Sequence, residues 1–354
     1  TAADLTSLTI TGDKSFVVTN AIGGTPALAT VDASGTTGAT EINASGSTVA
    51  ITMTGGTGID TMTGGTGNDT LTGGAGNDVL VSGNGVNTVT GGEGNDTLTG
   101  GTGIDTISGG AGIDTIAGGT GNDILTGGEG NDTFNFGTDG DLTANDSVDG
   151  GAGTDTVALT NASAMTPVLT SIEQIDATIS GAVAMNMSSV TGLTRLDIET
   201  GSYTGATVTG IASGTTVRIF DADAADTIDT VAGATLTVDS HLDRTGGQTV
   251  TISDAVNVTL TSTATAGSLS DLDSVALDTV DTLTLALVGS TTAAADLDTG
   301  AITASDQVTS LTATSSTSGA TVTMGTMVDA DSLTSVDVTA TFGDITLGAI
   351  GGTG

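Results

Sequence analysis

Eight aspartates between Gly55 and Asn135 share one register of nine residues: Asp60, Asp69, Asp78, Asp96, Asp105, Asp114, Asp123 and Asp132. Asn87 holds the single place in that register where a carboxylate is missing, and Asp155 resumes it after a break. Carboxylates at a fixed period, flanked by glycine and with no Lys or Arg in the segment, are oxygen donors without an internal counter-charge. They would repel one another unless a cation joined them. Calcium suits such donors, because it is a hard ion that takes about six to eight oxygens in flexible geometry, carboxylate and bare carbonyl alike. Zinc and iron are poorly served by a chain with no Cys and one histidine, His241, far from the aspartates.

The same residues offer little to catalysis, and the chain is expected not to be an enzyme. His241 sits in VDSHLDRTGG, outside any H-E-x-x-H helix, and G-x-S-x-G is missing. The aspartate spacing serves a cation rather than a paired acid and base.

The elements that must position these aspartates are nine units of nine residues, from GGTGIDTMT at Gly55 to GGEGNDTFN at Gly127, without insertion or deletion. A tenth, GGAGTDTVA, begins at Gly150. Each unit divides into a glycine-rich half able to turn tightly and a short alternating half suited to a brief strand with one side chain inward. The inward position is Met62, Leu71, Leu80, Val89, Leu98, Ile107, Ile116, Leu125 and Phe134, all apolar. So thin a core cannot hold the segment by burial alone, so the cation is expected to supply the missing cohesion. Strict phase over the array speaks against a solvated linker.

The pattern G-G-x-G-x-D-x-U-x resembles the RTX, or hemolysin-type, calcium-binding repeat. The resemblance implies an all-β fold: a right-handed parallel β-roll, flanked here by β-solenoid or stacked β-sheet segments. Two units would make one turn, with calcium between successive turns on each flank. One flank would present Asp60, Asp78, Asp96, Asp114 and Asp132, and the other Asp69, Asn87, Asp105 and Asp123; the tenth unit adds Asp155 to the implied metal residues. The implied gaps number about seven, one ion each. Ser82–Thr90 departs from the family pattern, and the two gaps that use Asn87 should be weak or empty.

Forty-one acidic against four basic residues give a formal charge of −37. That excludes nucleic acid as a routine partner, since phosphate binding needs clustered Lys and Arg, and it disfavours anionic lipid. About seven calcium ions would leave roughly −23. No apolar run reaches the ~18 residues of a membrane span. The ending LGAIGGTG does not resemble a type I secretion signal, so the chain is expected to be a piece of something larger.

Three regions are expected: residues 1–54 as an N-terminal β segment, 55–158 as the roll with a loop at 136–149, and 159–354 as a β-solenoid-like region. The loop carries Asp139, Asp141, Asp146 and Asp149, which either complete a terminal cation site or lie in solvent. In the C-terminal region a loose L-T-x-φ-x-φ element recurs at irregular spacing, as in LTRLDI from Leu193 and LTSVDV from Leu333. Thr and Val dominate and favour strands.

The leading functional expectation is a secreted, calcium-dependent structural protein of the bacterial cell surface, resembling surface-layer proteins that carry RTX arrays. It would self-assemble and could contact surface polysaccharide or lipopolysaccharide. The alternatives are a spacer in a large RTX adhesin or biofilm protein, and the calcium-driven secretion and folding module of an exported enzyme or toxin. Ice binding is disfavoured because the third-position residues form no regular ladder.

Overall fold

The computed structural model describes residues 6–18, 28–137, 142–160, 165–179, 183–200, 206–220, 226–240, 249–262, 269–271, 274–278, 282–287, 296–298, 301–303, 310–315, 321–324, 327–328, 333–340 and 344–351. His241, Arg244, Asp139 and Asp141 lie outside them. The described chain is all-β and parallel. Among its residues no helix is long and apolar enough to cross a membrane. Two compact units divide it, the first Thr1–Leu159 with Pro167–Gln174 and Val190–Gly192, the second the remainder.

In the first unit each strand pairs with the next but one in sequence, so the chain winds between two parallel sheets. One sheet holds nine strands, from Ser7–Gly12 through Thr52–Thr54, Thr70–Ala75 and Thr88–Glu93 to Ser147–Ala152 and Val168–Thr170. The opposite sheet runs from Phe16–Val18 through Val79–Asn84, Thr97–Thr102 and Thr115–Thr120 to Thr156–Thr160. Pairing is in register at a full coil of 18 residues: Leu80 opposes Leu98, and Leu98 opposes Ile116. One coil therefore consumes two nine-residue units.

Period-two alternation explains the core. All nine eighth-position side chains, Met62 to Phe134, are at most 1 % exposed and stack between the sheets, while the threonines beside them face outward, where β-branched side chains fit a pleated surface. Residues before Gly55 belong to the same stack, since Met53 pairs with Val31 on one side and Leu71 on the other. The glycine half of each unit turns where side chains cannot. Gly92 has φ of 126°, and a Cβ there would collide with the carbonyl oxygen of Gly74 on the preceding coil.

The second unit is also a parallel solenoid, with longer and less regular coils. Leu196 opposes Val217, Val217 opposes Val238 and Val238 opposes Leu260, and all four are buried. Strands Asp226–Ser240 and Thr249–Ser262 each span two columns, which separate again into Ser274–Asp278 and Thr282–Leu287. A third column joins Leu269–Asp271, Asp296–Asp298, Thr321–Met324 and Asp344–Leu347. Several L-T-x-φ-x-φ elements run into these strands: LTRLDI enters Arg195–Thr200 and LTSVDV enters Ser335–Ala340. Their irregular spacing reflects loops of different length between coils of one kind.

Two arginines of this unit pair with two of its aspartates. Arg195 reaches Asp176 and Asp197, each at 3.2 Å, and Arg218 reaches Asp197 at 3.1 Å from the paired strand.

Candidate metal centre

Each register aspartate lies where a glycine turn enters its strand, and the structure places them in two rows. The first contains Asp60, Asp78, Asp96, Asp114, Asp132 and Asp155, the second Asp69, Asn87, Asp105, Asp123 and a residue the nonapeptide pattern does not reach, Asp146. All are buried, at most 2 % exposed.

One carboxylate oxygen of each has the same task. Asp96 Oδ1 accepts the backbone N–H of Asp78 at 2.7 Å, Asp114 Oδ1 that of Asp96 at 2.8 Å, and Asp132 Oδ1 that of Asp114 at 2.8 Å. The second row repeats the stitch, with Asp123 Oδ1 accepting from Asp105 at 2.8 Å and Asp146 Oδ1 from Asp123 at 2.6 Å. Successive coils are thus joined by a side chain reaching back one turn. A second, outer stitch runs the other way, as Asn95 accepts from Ile113 N–H and Asn77 from Asn95 N–H, each at 2.9 Å.

The other carboxylate oxygen carries the chemistry. In Asp78, Asp96, Asp105, Asp114, Asp132 and Asp155, Oδ2 is buried with no hydrogen-bond donor. It points beside the first glycine of its own unit, where the carbonyl oxygen of the residue one coil later also converges. A Cβ on Gly91 would strike both Asp96 Oδ2 and the Gly109 carbonyl, and one on Gly109 would strike Asp114 Oδ2 and the Gly127 carbonyl. Only glycine leaves this cradle open. Among the described residues no three Asp, Glu, His or Cys side chains converge as a group, so backbone carbonyls must provide much of any coordination shell. That donor set, hard oxygens of mixed charge, fits calcium and not a thiolate- or imidazole-seeking metal.

Electrostatics agree with the geometry. Burial pushes the carboxyls of Asp78 and Asp114 up to about 6, against backbone hydrogen bonds that lower them and with the neighbouring aspartates of the row adding to the rise. Burial also raises Asp96, Asp105, Asp132 and Asp155. Unit charges one coil apart, about 4.8 Å, repel by roughly 3 kcal/mol at an effective dielectric of about 20. A dication between coils removes both penalties.

Residues 54–89, 90–112, 108–143 and 141–159 match the RTX calcium-binding nonapeptide repeat in four copies. Residues 54–159 belong to the RTX family. No curated protein and no solved structure shows significant similarity to this chain. RTX repeats bind calcium, and calcium is the ion of this array. Asp60, Asp69, Asp78, Asp96, Asp105, Asp114, Asp123, Asp132 and Asp155 all lie in the two rows.

Two features of the RTX array were not readable from the nonapeptide pattern. Strand pairing of Ile124 with Ser147 and Gly128 with Gly151 restores the register within 136–149, so Asp146 takes a sixth position although the glycine half before it is lost. The signal was present in DSVDGG, which repeats the D-x-U-x-G-G passage between units. Asp146 Oδ2 accepts the Thr143 N–H at 2.5 Å, making it a cap to the turn as well as a rung.

Asn87 is the second. Its Oδ1 accepts the Asp69 N–H at 2.8 Å as an aspartate would, while Nδ2 donates to the Gly83 and Gly85 carbonyls at 3.3 and 3.5 Å. The amide gives its own turn the positive end that a cation gives elsewhere. Asn87→Asp should therefore act with opposite sign in two conditions, raising the melting temperature in calcium and lowering it in chelator at pH 5, where the cation-free array keeps its order. Equal melting of variant and parent in both would contradict this role.

Acidity should also move the array in two directions. Asp78 and Asp114 titrate near 6 when folded but at about 3.9 when unfolded, so between those values the folded chain holds protons the unfolded chain has released. Stability of the cation-free array thus falls as pH rises through that window. Chelated protein is expected to show a melting transition of the array at pH 5 that is lost at pH 7.5. Calcium-loaded protein should instead melt higher at pH 7.5 than at pH 5, because the carboxyls must lose protons to bind the ion. Scanning calorimetry at the two pH values, with and without chelator, reads both signs.

Proposed function

We propose that this chain is an extracellular structural protein whose coils fold on calcium and assemble into a bacterial surface layer. The observation that carries the reading is the pair of buried rows with unpartnered oxygens, which tie the order of the first unit to ion supply. RTX repeat proteins are typically secreted. Cytosolic calcium is too low to fill sites tuned for extracellular, roughly millimolar concentrations, so such a chain stays unfolded for export and folds outside.

Self-assembly is supported by the second unit. Val336 and Val338 on strand Ser335–Ala340 are 44 % and 48 % exposed, although Val336 continues the column of buried Leu283 and Leu311. Among the described residues this strand pairs on one side alone, and apolar residues at such an edge invite pairing with a further strand. The net charge of −37 keeps the calcium-free chain soluble and lets calcium trigger association. We assign it no catalysis, because its regularly spaced carboxylates are buried between coils and do not line a substrate cleft.

Electron microscopy of the purified chain with and without calcium tests the proposal. Ordered two-dimensional sheets in calcium support the lattice reading. Dispersed single molecules in calcium would favour the adhesin spacer or the folding module of an exported protein instead.

A further inference from the structure

We propose that Glu173 closes the first carboxylate row and, with Asp155 and the Ser171 carbonyl, forms a calcium site beyond the nonapeptide repeats. The proposal rests on the reading of the rows as calcium sites.

Three observations converge on it. Asp155 is fully buried, and its Oδ2 has no hydrogen-bond donor. The Asp155 N–H donates to Glu173 Oε2 at 2.8 Å, as the Asp132 N–H donates to Asp155 Oδ1 at 2.8 Å one coil earlier. Strand pairing of Val148 with Leu169 and Asp149 with Thr170 sets Ser171 opposite Gly150. A Cβ on Gly150 would strike both the Ser171 carbonyl oxygen and Asp155 Oδ2, as a Cβ on Gly91 would strike the Gly109 carbonyl and Asp96 Oδ2. The cradle of the repeats thus recurs where the repeat sequence has ended.

The local backbone explains why no motif announces it. In the repeat, five positions separate the first glycine from the carboxylate, as from Gly150 to Asp155; from Ser171 to Glu173 there are two. The chain turns sharply at Ser171, whose φ of 52° is one of two left-handed values among described non-glycine residues. Glutamate's extra methylene restores the reach that the shorter loop removes. Its carboxylate supplies the charge that Asp114 supplies to the site beside Asp96.

The test is a count of bound calcium on the full chain, by native mass spectrometry and equilibrium dialysis with calcium alone as the ligand. Glu173→Gln is chosen because an amide oxygen can still accept the Asp155 N–H, as Asn87 does for Asp69, so the coil pairing is kept while the charge is lost. One ion fewer than the parent is expected, with an unchanged calcium-saturated circular dichroism spectrum. Should that variant fail to fold, Glu173→Asp keeps the charge but not the reach, and one ion should bind about tenfold more weakly or worse. A parent loaded with calcium whose count and affinities are matched by both folded variants overturns the Glu173 site and leaves the array intact. A parent that binds no calcium overturns the calcium reading of the rows, and this site with it.

Discussion

Removing calcium at pH 7.5 is expected to abolish the ordered coils between Gly55 and Leu159 while leaving a β-sheet signal from the second unit. The reason is the six buried Oδ2 atoms without a donor. An unmet buried acceptor costs about 1–3 kcal/mol, more when charged, and a domain's net stability is only about 5–15 kcal/mol. Six such atoms in adjacent coils are enough to consume it. No Lys or Arg within 55–135 can replace the ion. The second unit differs, because Arg195 and Arg218 already pair with Asp176 and Asp197. Far-UV circular dichroism during a chelator titration should therefore lose part of its amplitude and recover it on adding calcium back. A chelated sample with the full spectrum and the parent's melting temperature would remove the basis for the calcium role.

The second large effect is expected at Asp96. Its Oδ1 holds the Asp78 N–H, its Oδ2 lies in the cradle beside Gly91, and both its neighbours in the row are intact aspartates. Asp96→Ala removes the backbone acceptor and a ligand from the gaps on either side, so up to two ions are weakened at once. The calcium concentration for half-folding should rise about tenfold, in line with the dependence of such sites on ligand charge. Asp96→Asn keeps an acceptor for Asp78 and loses only charge, so its midpoint should fall between parent and alanine variant. Superimposable titrations for parent and Asp96→Ala would mean that the oxygens identified here do not hold the ion.

Much of this was legible along the chain, because a strand's inward and outward faces are decided by near neighbours. Period-two alternation alone selects Met62 through Phe134 as core, and the five-position offset from the first glycine selects the aspartates. Both selections rest on repetition over a few residues and need no knowledge of what lies across a coil. Where the loop changed length, the same reasoning failed. Asp146 lost the glycine half that would have marked it, and Glu173 differs from the repeat in both residue type and spacing. The solenoid of the second unit is the same case on a larger scale: its hydrogen-bonded coils differ by about 21 residues at Asp197–Arg218 and 24 at Asp229–Ser253, so no fixed period exposes it. Asn87 reads from its register as a weakened ligand; only its contacts show an amide that donates to its own turn.

By itself, then, the sequence determined which side chains turn inward, which residues must be glycine and that a hard cation was needed, since those follow from local periodicity and from a charge imbalance that no folding can alter. Tertiary structure decided which carbonyl meets which carboxylate, how far the rows extend past the repeats, and which carbonyls the Asn87 amide donates to. The pairings along the rows join atoms a full coil apart, and their geometry depends on the lengths of the loops that close each turn, which residue types alone do not state.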